Sequence, residues 1–396
     1  MSGSFTSFKC RNRFDVAIIG GGPAGSATAI ALAKAGISVA LVEGPAETGW
    51  KIGESLPPVA KQALWELGIW DSFISDGHLP SYGNCSAWGT SELAYQSFVF
   101  DPNGNGWHLD RARFDKMLLS AAATEGAIRR TGTVVSCCRV VGGHWRLELL
   151  SANQRRSFIY ASFVVDASGR KSWFAKRQGA KRVSYDCTLG LVALLAPRGG
   201  VTDLDSQTMV EASECGWWYS SLLPDKKLVV AYLSDGDLQL TKSARRAEGW
   251  LAILNTTEHT KARTESYESQ IEIGPRMVAA NSSRLRRAVG DSWLAVGDAA
   301  ASYDPLSSQG IIMSVEMGLR AAETVQRYFL GDYQALEVYA RSIDDMFIRY
   351  LLNMRFYYSQ EARWSSYPFW RRRRFLPQTE NLVEANPSLL QSSVKV

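Results

Sequence analysis

The stretch that decides the fold is Phe14–Gly44, which reads FDVAIIGGGPAGSATAIALAKAGISVALVEG. The apolar run Asp15–Ile19 predicts a short buried strand, and the alanine-rich segment Ala24–Ala35 predicts a helix. A second apolar run, Val39–Val42, predicts another strand. Two parallel strands that are joined by a helix form a βαβ unit. The sequence therefore predicts an α/β fold with a parallel sheet.

The turn GGGPAG joins the first strand to the helix, and its positions have different tasks. Gly20 permits a tight turn, Gly22 lets the backbone approach a pyrophosphate, and Gly25 lets the helix pack against the strand. Ala24 lies at the helix N-terminus, where unpaired N–H groups attract anionic oxygens. Glu43 ends the second strand, where a carboxylate accepts hydrogen bonds from ribose hydroxyls and repels a 2′-phosphate. These features predict a Rossmann-like dinucleotide site.

Composition limits the class of protein. The chain has 396 residues, 46% of them hydrophobic, and a net charge of +5. We expect a globular cytoplasmic protein, because the N-terminal segment has no apolar core and no apolar run approaches the length of a membrane span. The charge is mild, so nucleic-acid binding is not favoured. We interpret the run Arg371–Arg374 as a solvated face, with docking of an acidic partner as the alternative.

The cysteines predict neither a metal site nor a disulfide framework. They show no C-x-x-C pairing and no clustering with the four histidines. A reducing compartment fits this pattern. The six positions are Cys10, Cys85, Cys137, Cys138, Cys187 and Cys215.

The order of predicted elements indicates interleaved domains. Strand and helix patterns near both ends belong to one nucleotide-binding domain, and the strand-rich middle predicts a mostly antiparallel sheet that binds the substrate. The predicted boundaries are residues 12–82, 105–185 and 276–330 for the discontinuous nucleotide-binding domain, 83–104 and 186–275 for the substrate domain, and 331–396 for a C-terminal helical region.

The segment LAVGDAAASYDP indicates which dinucleotide is bound. It predicts a buried strand that ends at Gly297 and Asp298, followed by a loop and a helix that begins near Gly310. An aspartate there can hold a polyol hydroxyl, and the helix N-terminus can stabilise the negative charge of a reduced flavin. FAD has a ribityl chain and NAD has none, so we expect FAD. No His or Cys adjoins the glycine turn, which favours non-covalent binding. The alternative is that Asp298 only caps a helix.

Three motifs together resemble the FAD-dependent monooxygenases of the p-hydroxybenzoate hydroxylase type. They are GGGPAG with Glu43, DASG at Asp166–Gly169, and GDAAASYDP. The segment LDRARFD also matches the Arg-x-x-Phe-Asp pattern of these enzymes. This resemblance implies that Arg111 contacts FAD, with Arg113 as a solvated alternative.

Two loops narrow the resemblance further. GESLPP and DPLSSQG are similar to loops beside the flavin of tryptophan halogenases and their relatives. The resemblance implies flavin contacts from Ser55, Pro305, Gly310 and Ile311. The chain departs from the halogenase patterns GWxWxIP and PLESTG, because Tyr219 replaces the second tryptophan, Ser307 the glutamate and Gln309 the threonine. Halogenation is therefore kept only as an alternative.

The segments GWHLDRARFD, GWWYSSLLPDKKLVVAYLSD and GDAAASYDPLSSQGI most resemble LodB/GoxB-like flavoproteins, which mature amino-acid oxidases that carry a cysteine tryptophylquinone. This resemblance implies hydroxylation of a tryptophan in a partner protein, an oxidase precursor. It also implies O₂ as oxidant and NAD(P)H or reduced flavin as a transient electron donor. The alternatives are a small-molecule oxygenase or halogenase, and a flavin-bearing chaperone that adds no oxygen.

Oxygenation of an indole needs orientation first and then a base that removes the ring proton. The base candidates are Glu54, His78 and Asp304, by their position near the presumed flavin loops. Alternatively, Glu54 only caps the following helix and Asp304 only braces the loop before Pro305.

An aromatic wall beside the flavin could stack on the indole. Its candidate residues are Trp88, Trp217, Trp218 and Tyr219. Neighbouring residues of a strand point to opposite faces, so only one of Trp217 and Trp218 can face the substrate directly. Ordinary core packing is the alternative for each of them.

Overall fold

The structure is a computed structural model that describes residues 12–44, 50–199, 204–268 and 271–374. The strands are β1 (Arg13–Ile19), β2 (Val39–Val42), β3 (Ser55–Leu56), β4 (Leu79–Ser81), β5 (Gly83–Ala87), β6 (Ala94–Ser97), β7 (Gly106–His108), β8 (Ile128–Arg130), β9 (Thr133–Val141), β10 (His144–Ser151), β11 (Arg156–Asp166), β12 (Arg182–Ser184), β13 (Thr188–Leu195), β14 (Thr208–Ser213), β15 (Gly216–Leu222), β16 (Leu228–Asp235), β17 (Ile273–Ala279), β18 (Ser283–Leu285), β19 (Val289–Gly290), β20 (Trp293–Ala295) and β21 (Ala301–Ser302).

The helices are α1 (Pro23–Lys34), α2 (Ala60–Glu66), α3 (Trp70–Ser75), α4 (Arg111–Thr124), α5 (Trp173–Arg177), α6 (Gln239–Ser243), α7 (Ala247–Leu254), α8 (His259–Thr264), α9 (Gly310–Phe329), α10 (Ala335–Gln360) and α11 (Pro368–Arg374). Short 3₁₀ helices span Gly169–Lys171, Gly297–Ala299 and Pro305–Ser307.

The first sheet has a parallel centre in the order β20, β11, β1, β2, β8. Strand β1 pairs with β2 on one side and with β11 on the other, and its residues Val16–Ile18 are fully buried. The hairpin of β9 and β10 continues the sheet by antiparallel pairing with the first half of β11. The predicted strand–helix–strand unit is therefore present as β1, α1 and β2.

The second sheet has seven strands in the order β17, β13, β16, β15, β14, β5, β6. Its neighbouring strands are antiparallel except β14 and β5, which are parallel. One face packs on the main core, and the other packs on a smaller cluster that includes Trp218, Tyr232 and Trp250. The predicted α/β fold, with a mostly antiparallel second sheet and a helical C-terminal region, is confirmed. The domain boundaries stay a prediction.

The arginine run corrects one interpretation. Arg371 is exposed, but the side chain of Arg373 is only 2% exposed and pairs with buried Asp235 at 2.7 Å. Arg372 pairs with both Asp235 and Asp237. The solvated-face interpretation is wrong for Arg373, because α11 docks on the second sheet and buries it. Residues 375–396 of the predicted helical region lie outside the described residues.

Nearby, the thiol of Cys187 and the carboxylates of Asp235 and Asp237 have oxygen and sulfur atoms within 4.8 Å of one another. Arg372 already supplies positive charge to both carboxylates, so we assign no metal ion there. The five cysteines in the described ranges are free thiols, while Cys10 lies outside those ranges. Across the same ranges, no helix combines the length and the apolar character needed to cross a membrane.

Candidate active site

A cavity of about 500 Å³ lies where both sheets meet. On one side it is lined by the segments that follow β1, β11 and β20, which are the carboxyl ends of neighbouring parallel strands. On the other side it is lined by side chains of β13, β15, β16 and β17. Ligands of open α/β sheets bind at this edge.

The glycine turn after β1 has the shape of a phosphate cradle. Gly20 has φ +110°, and a Cβ there would lie 2.2 Å from the Ala167 carbonyl oxygen, so only glycine fits. A Cβ on Gly25 would lie 1.9 Å from the Gly20 carbonyl oxygen, which explains the close packing of α1. A Cβ on Gly22 would meet nothing within 4 Å, because Gly22 faces the cavity. This open space fits a pyrophosphate.

Two further features of the turn suit an anionic dinucleotide. Helix α1 begins without a side-chain cap, so its first N–H groups point toward the cavity edge, where Ala24 lies. At the end of β2, Glu43 accepts a hydrogen bond from the Gly21 N–H. The carboxylate therefore lies beside the turn, where we predicted contact with ribose.

Asp298 faces the cavity from the 3₁₀ turn after β20. Its side chain is 41% exposed, and its Oδ2 lies 3.6 Å from Nε of Arg170. Neither this turn nor α9 has a side-chain cap, so Asp298 does not cap a helix. Gly310 and Ile311, the first residues of α9, line the cavity together with Pro305. A carboxylate and an uncapped helix N-terminus thus flank one space, which suits a ribityl chain and the anionic edge of a flavin.

Arg170 and Tyr303 complete this corner. Arg170 donates to the carbonyls of Asn281 at 2.8 Å and Tyr303 at 3.3 Å, which fixes it beside Asp298. Tyr303 lines the cavity, and its buried hydroxyl has no hydrogen-bond partner among the described residues. A buried hydroxyl without a partner is costly, so this group is available to a ligand.

Arg111 lines the cavity and Arg113 does not. Arg111 Nη1 donates to the carbonyls of Ile52 at 2.9 Å and Gly53 at 3.0 Å, and its other nitrogens bind Asp115. Asp110 caps the start of α4 by accepting from the Arg113 backbone N–H at 3.0 Å, and the Arg113 side chain donates to the same carboxylate at 3.1 Å. Of the two arginines considered from the sequence, Arg111 is therefore the one that lines the cavity.

Glu54 is a buried carboxyl in the cavity wall, with 2% exposure. Burial raises its pKa, and hydrogen bonds from Tyr219 and the Gly53 N–H together with the charge of Arg111 oppose that rise. Helix α2 begins beyond it without a side-chain cap, so Glu54 does not serve as a helix cap.

Behind Tyr219, polar side chains continue into the protein. The Tyr219 hydroxyl lies 2.7 Å from Ser55 Oγ, which lies 3.2 Å from Thr208 Oγ1. Thr208 Oγ1 lies 2.9 Å from Nε2 of buried His108. Burial and then the charge of Arg263 lower the pKa of His108 to about 3, so the imidazole is neutral at physiological pH. This row of hydrogen-bonded side chains fixes the Tyr219 hydroxyl at the cavity wall.

Asp304 is the second buried carboxyl of the cavity. Burial and the nearby Asp186 raise its pKa to about 6. Its Oδ1 accepts from the Leu306 N–H at 2.8 Å, so it does brace the loop beside Pro305. Its Oδ2 accepts from the Tyr358 hydroxyl at 2.9 Å, and that hydroxyl accepts from Trp217 Nε1 at 2.9 Å. The carboxyl therefore has both a structural contact and a pKa suited to a base near neutral pH.

The geometry corrects three site assignments. His78 packs its ring against Phe73, and its Nδ1 accepts from the Asp110 N–H at 3.2 Å, away from the cavity. Trp88 lies behind Trp217 at a ring distance of 6.3 Å and does not line the cavity. Trp218 packs in the small cluster on the other face of the second sheet. His78 as a base and these two tryptophans as substrate wall therefore find no geometric support.

Trp217 and Tyr219 do line the cavity, on the same face of β15. The opposite faces of Trp217 and Trp218 agree with strand alternation, as predicted. The rest of this side is apolar and small, which gives flat room for an aromatic ring. Its residues are Val192, Ala231, Leu233, Val278, Ala279 and Ala280.

Sequence reasoning missed Arg170, Tyr303 and Tyr358. Arg170 directly follows DASG, and Tyr303 lies inside GDAAASYDP, so their position beside a recognised motif was the available signal. Tyr358 lies in α10, far from any motif, and gave no signal.

The FAD-binding domain family matches residues 13–317. The chain belongs to this family. Among curated proteins, LodB of Marinomonas mediterranea, described as an FAD-dependent oxidoreductase, is 28% identical over 369 residues, which cover 91% of this chain and 96% of LodB. The predictions of an FAD-dependent oxidoreductase and of a LodB-like chain are confirmed.

Two solved structures share the fold. The myxobacterial chondrochloren halogenase CndH has a TM-score of 0.83 at 22% identity, covering 97% of this chain and 91% of its own. QhpG, a peptidyl tryptophan dihydroxylase essential for tryptophylquinone cofactor biogenesis, has a TM-score of 0.76 at 23% identity, covering 92% of this chain and 79% of its own.

Proposed function

We propose that this protein is an FAD-dependent monooxygenase that hydroxylates a tryptophan of a partner protein, the precursor of an oxidase with a cysteine tryptophylquinone. The observation that carries the proposal is the cavity wall of Trp217 and Tyr219, with the buried carboxyls Glu54 and Asp304 in the same cavity. This wall can stack on an indole, and a carboxylate can accept its ring proton.

The residues that would hold FAD follow from the cavity. The Gly20–Gly25 turn would bind the pyrophosphate, Glu43 a ribose and Asp298 the ribityl chain, while the start of α9 and Arg111 would lie near the flavin ring. FAD, reduced by NAD(P)H or by reduced flavin from another enzyme, supplies the activation of O₂. The protein supplies position, apolar surroundings and proton transfer.

The side chains have separate tasks in this proposal. The small apolar residues of the second sheet exclude water and let the indole lie flat against Trp217. Asp304 is ionised above pH about 6 and accepts the ring proton. Burial raises the pKa of Glu54, and in this proposal its carboxyl oxygen accepts a hydrogen bond from the indole N–H of the substrate.

A protein substrate is supported by two relatives. LodB is similar along almost its whole length, and QhpG, whose fold is shared, acts on a peptidyl tryptophan. The partner precursor and the oligomeric state of the complex are part of the proposal to be tested.

Co-expression with a candidate precursor followed by mass spectrometry tests the function. We expect tryptophan in the precursor to gain one or two oxygen atoms. Trp217→Phe should reduce this gain at least tenfold, and its neighbour Trp218→Phe, outside the cavity, is the matched control that should retain it. Binding of the precursor without any gain of oxygen would instead indicate a flavin-bearing chaperone.

Halogenation is the second candidate, because CndH shares the fold. The replacements Tyr219, Ser307 and Gln309 argue against it. Incubation with free tryptophan, chloride or bromide, and a flavin reductase should give no halotryptophan. Formation of that product would overturn the proposed function.

A further inference from the structure

The inference concerns the arginine-rich helix α11, which no step of the proposed function uses. Arg373 is the innermost arginine of this helix. Its Nη2 donates to Asp235 Oδ1 at 2.7 Å and to Thr188 Oγ1 at 2.6 Å, and its Nη1 donates to the Phe369 carbonyl at 2.9 Å. A guanidinium with three buried acceptors has one fixed orientation.

This fixed cation touches Tyr358, an aromatic residue that lies directly behind the cavity residues Trp217 and Asp304. The guanidinium carbon of Arg373 lies 5.2 Å from the ring centre of Tyr358 and 3.5 Å from that of Phe369. Tyr358 is fully buried, and Phe369 and Trp370 of α11 pack on it at ring distances of 6.0 Å and 5.9 Å. The position of the Tyr358 ring is therefore set by α11.

The Tyr358 hydroxyl joins two cavity residues. It accepts from Trp217 Nε1 and donates to Asp304 Oδ2, both at 2.9 Å. Any displacement of this ring would break at least one of these bonds.

We propose that Arg373 is a positioning residue for the cavity, which holds Tyr358 so that its hydroxyl bridges Trp217 and Asp304. The C-terminal helix is then a functional part of the site. The inference does not depend on the identity of the substrate.

The electrostatics agree with this assignment. Burial and then the charge of Asp186 raise the pKa of Asp304, while the charge of Arg373 and the hydrogen bond from Tyr358 lower it. The backbone N–H of Asp304 also donates to the Tyr350 hydroxyl at 2.7 Å. Removal of Arg373 leaves Asp186 uncompensated beside Asp304, so the carboxyl should ionise only at higher pH.

Nuclear magnetic resonance of the FAD-loaded protein, labelled with ¹⁵N in its indoles, tests the proposal. The Trp217 Nε1–H resonance, assigned by its loss in Trp217→Phe, should report the titration of Asp304 through Tyr358. Arg373→Met should move the midpoint upward by about one pH unit. Arg373→Lys, which keeps the positive charge, should keep the midpoint close to that of the unmodified protein. Exposed Arg371→Met is the matched control and should not shift the midpoint.

A purely structural anchor would give a different result. If Arg373→Met lowers the unfolding midpoint but leaves the Trp217 titration unchanged, the proposal is wrong. If Arg373→Met does not fold, Tyr358→Phe decides, since it keeps the ring under α11 and removes only the bridge. The Trp217 resonance should then lose its pH response, and a retained response would overturn the proposal.

Discussion

At the scale of single residues, the glycines of one turn meet different physical demands. Gly22 has an ordinary φ of −69° and open space around it, whereas Gly25 touches the backbone of Gly20. Gly22→Val should therefore keep the fold and abolish FAD binding, because the added side chain fills the space of the pyrophosphate. The stability of Gly22→Val without FAD should be little changed, because a Cβ at this position meets no protein atom within 4 Å.

Gly25→Ala is the informative comparison for Gly22→Val. Its Cβ would lie 1.9 Å from a carbonyl oxygen, so the variant should lose stability by several kcal/mol whether or not FAD is added. Thermal unfolding and FAD fluorescence titration of both variants separate the two effects. Tight FAD binding by Gly22→Val would contradict the cradle assignment.

Asp298 gives a second prediction at this scale. In the proposed FAD site, Asp298→Ala would remove a charge-assisted hydrogen bond to the ribityl chain, worth about 1.5–3 kcal/mol, or about ten- to a hundredfold in FAD affinity. Its ion pair with Arg170 is open to the cavity, so the unfolding midpoint without FAD should change little. FAD dissociation constants and unfolding midpoints of the same variant check this. Unchanged affinity with lower stability would mean that Asp298 serves only the ion pair.

At the scale of elements, the close approach of α1 and α9 sets the width of the cofactor site. A Cβ on Gly318 would lie 2.7 Å from the Ala24 carbonyl oxygen and 2.7 Å from Ala27 Cβ. Both helices begin at the cavity, α1 at the glycine turn and α9 at Gly310. The distance between the two N-termini therefore depends on one small residue.

Gly318→Ala should push α9 away from α1. We expect a loss of about 1–3 kcal/mol in the free energy of unfolding and a weaker affinity for FAD, because the two helix starts move apart. Glu323→Ala, on the exposed side of the same helix, is the control and should change neither quantity. Chemical denaturation and flavin titration measure both, and equal behaviour of the two variants would contradict this packing argument.

At the scale of the whole molecule, buried ionisable groups set a pH dependence with two opposed parts. The pKa of Asp304 is raised from 3.8 to about 6, so the folded state binds the extra proton and stability falls as pH rises through this window. The pKa of His108 is lowered from 6.5 to about 3, so stability falls as pH decreases below 6.5.

Two variants separate these parts. From pH 4 to pH 7, the free energy of unfolding of Asp304→Asn should rise by about 2 kcal/mol relative to that of the unmodified protein. From pH 7 down to pH 4, the free energy of unfolding of His108→Gln should rise by about 3 kcal/mol relative to that of the unmodified protein. Urea unfolding at several pH values measures both trends. Parallel pH profiles for all three proteins would show that neither group is perturbed as the structure indicates.

The sequence by itself determined those structural features that depend on residues close together in the chain. The βαβ unit follows from apolar runs with a glycine turn between them, and the opposite faces of Trp217 and Trp218 follow from strand alternation. The cofactor also followed, because a dinucleotide turn and the GDAAASYDP loop each have a recognisable local form. The spacing of apolar residues along the sequence determines the local backbone geometry. That geometry determines where a turn needs glycine and where a carboxylate can face a cofactor.

Only the tertiary structure decided which side chains share the cavity. His78, Trp88 and Trp218 were predicted as site residues from the sequence, but packing places their side chains outside the cavity. Tyr358 and Arg373 lie far along the chain, and because α10 and α11 fold back over the second sheet, Tyr358 reaches Asp304 and Arg373 reaches Asp235. The burial and the pKa of a side chain depend on contacts with elements that are distant in the sequence. These contacts form only when the elements pack together, so the sequence alone does not show them.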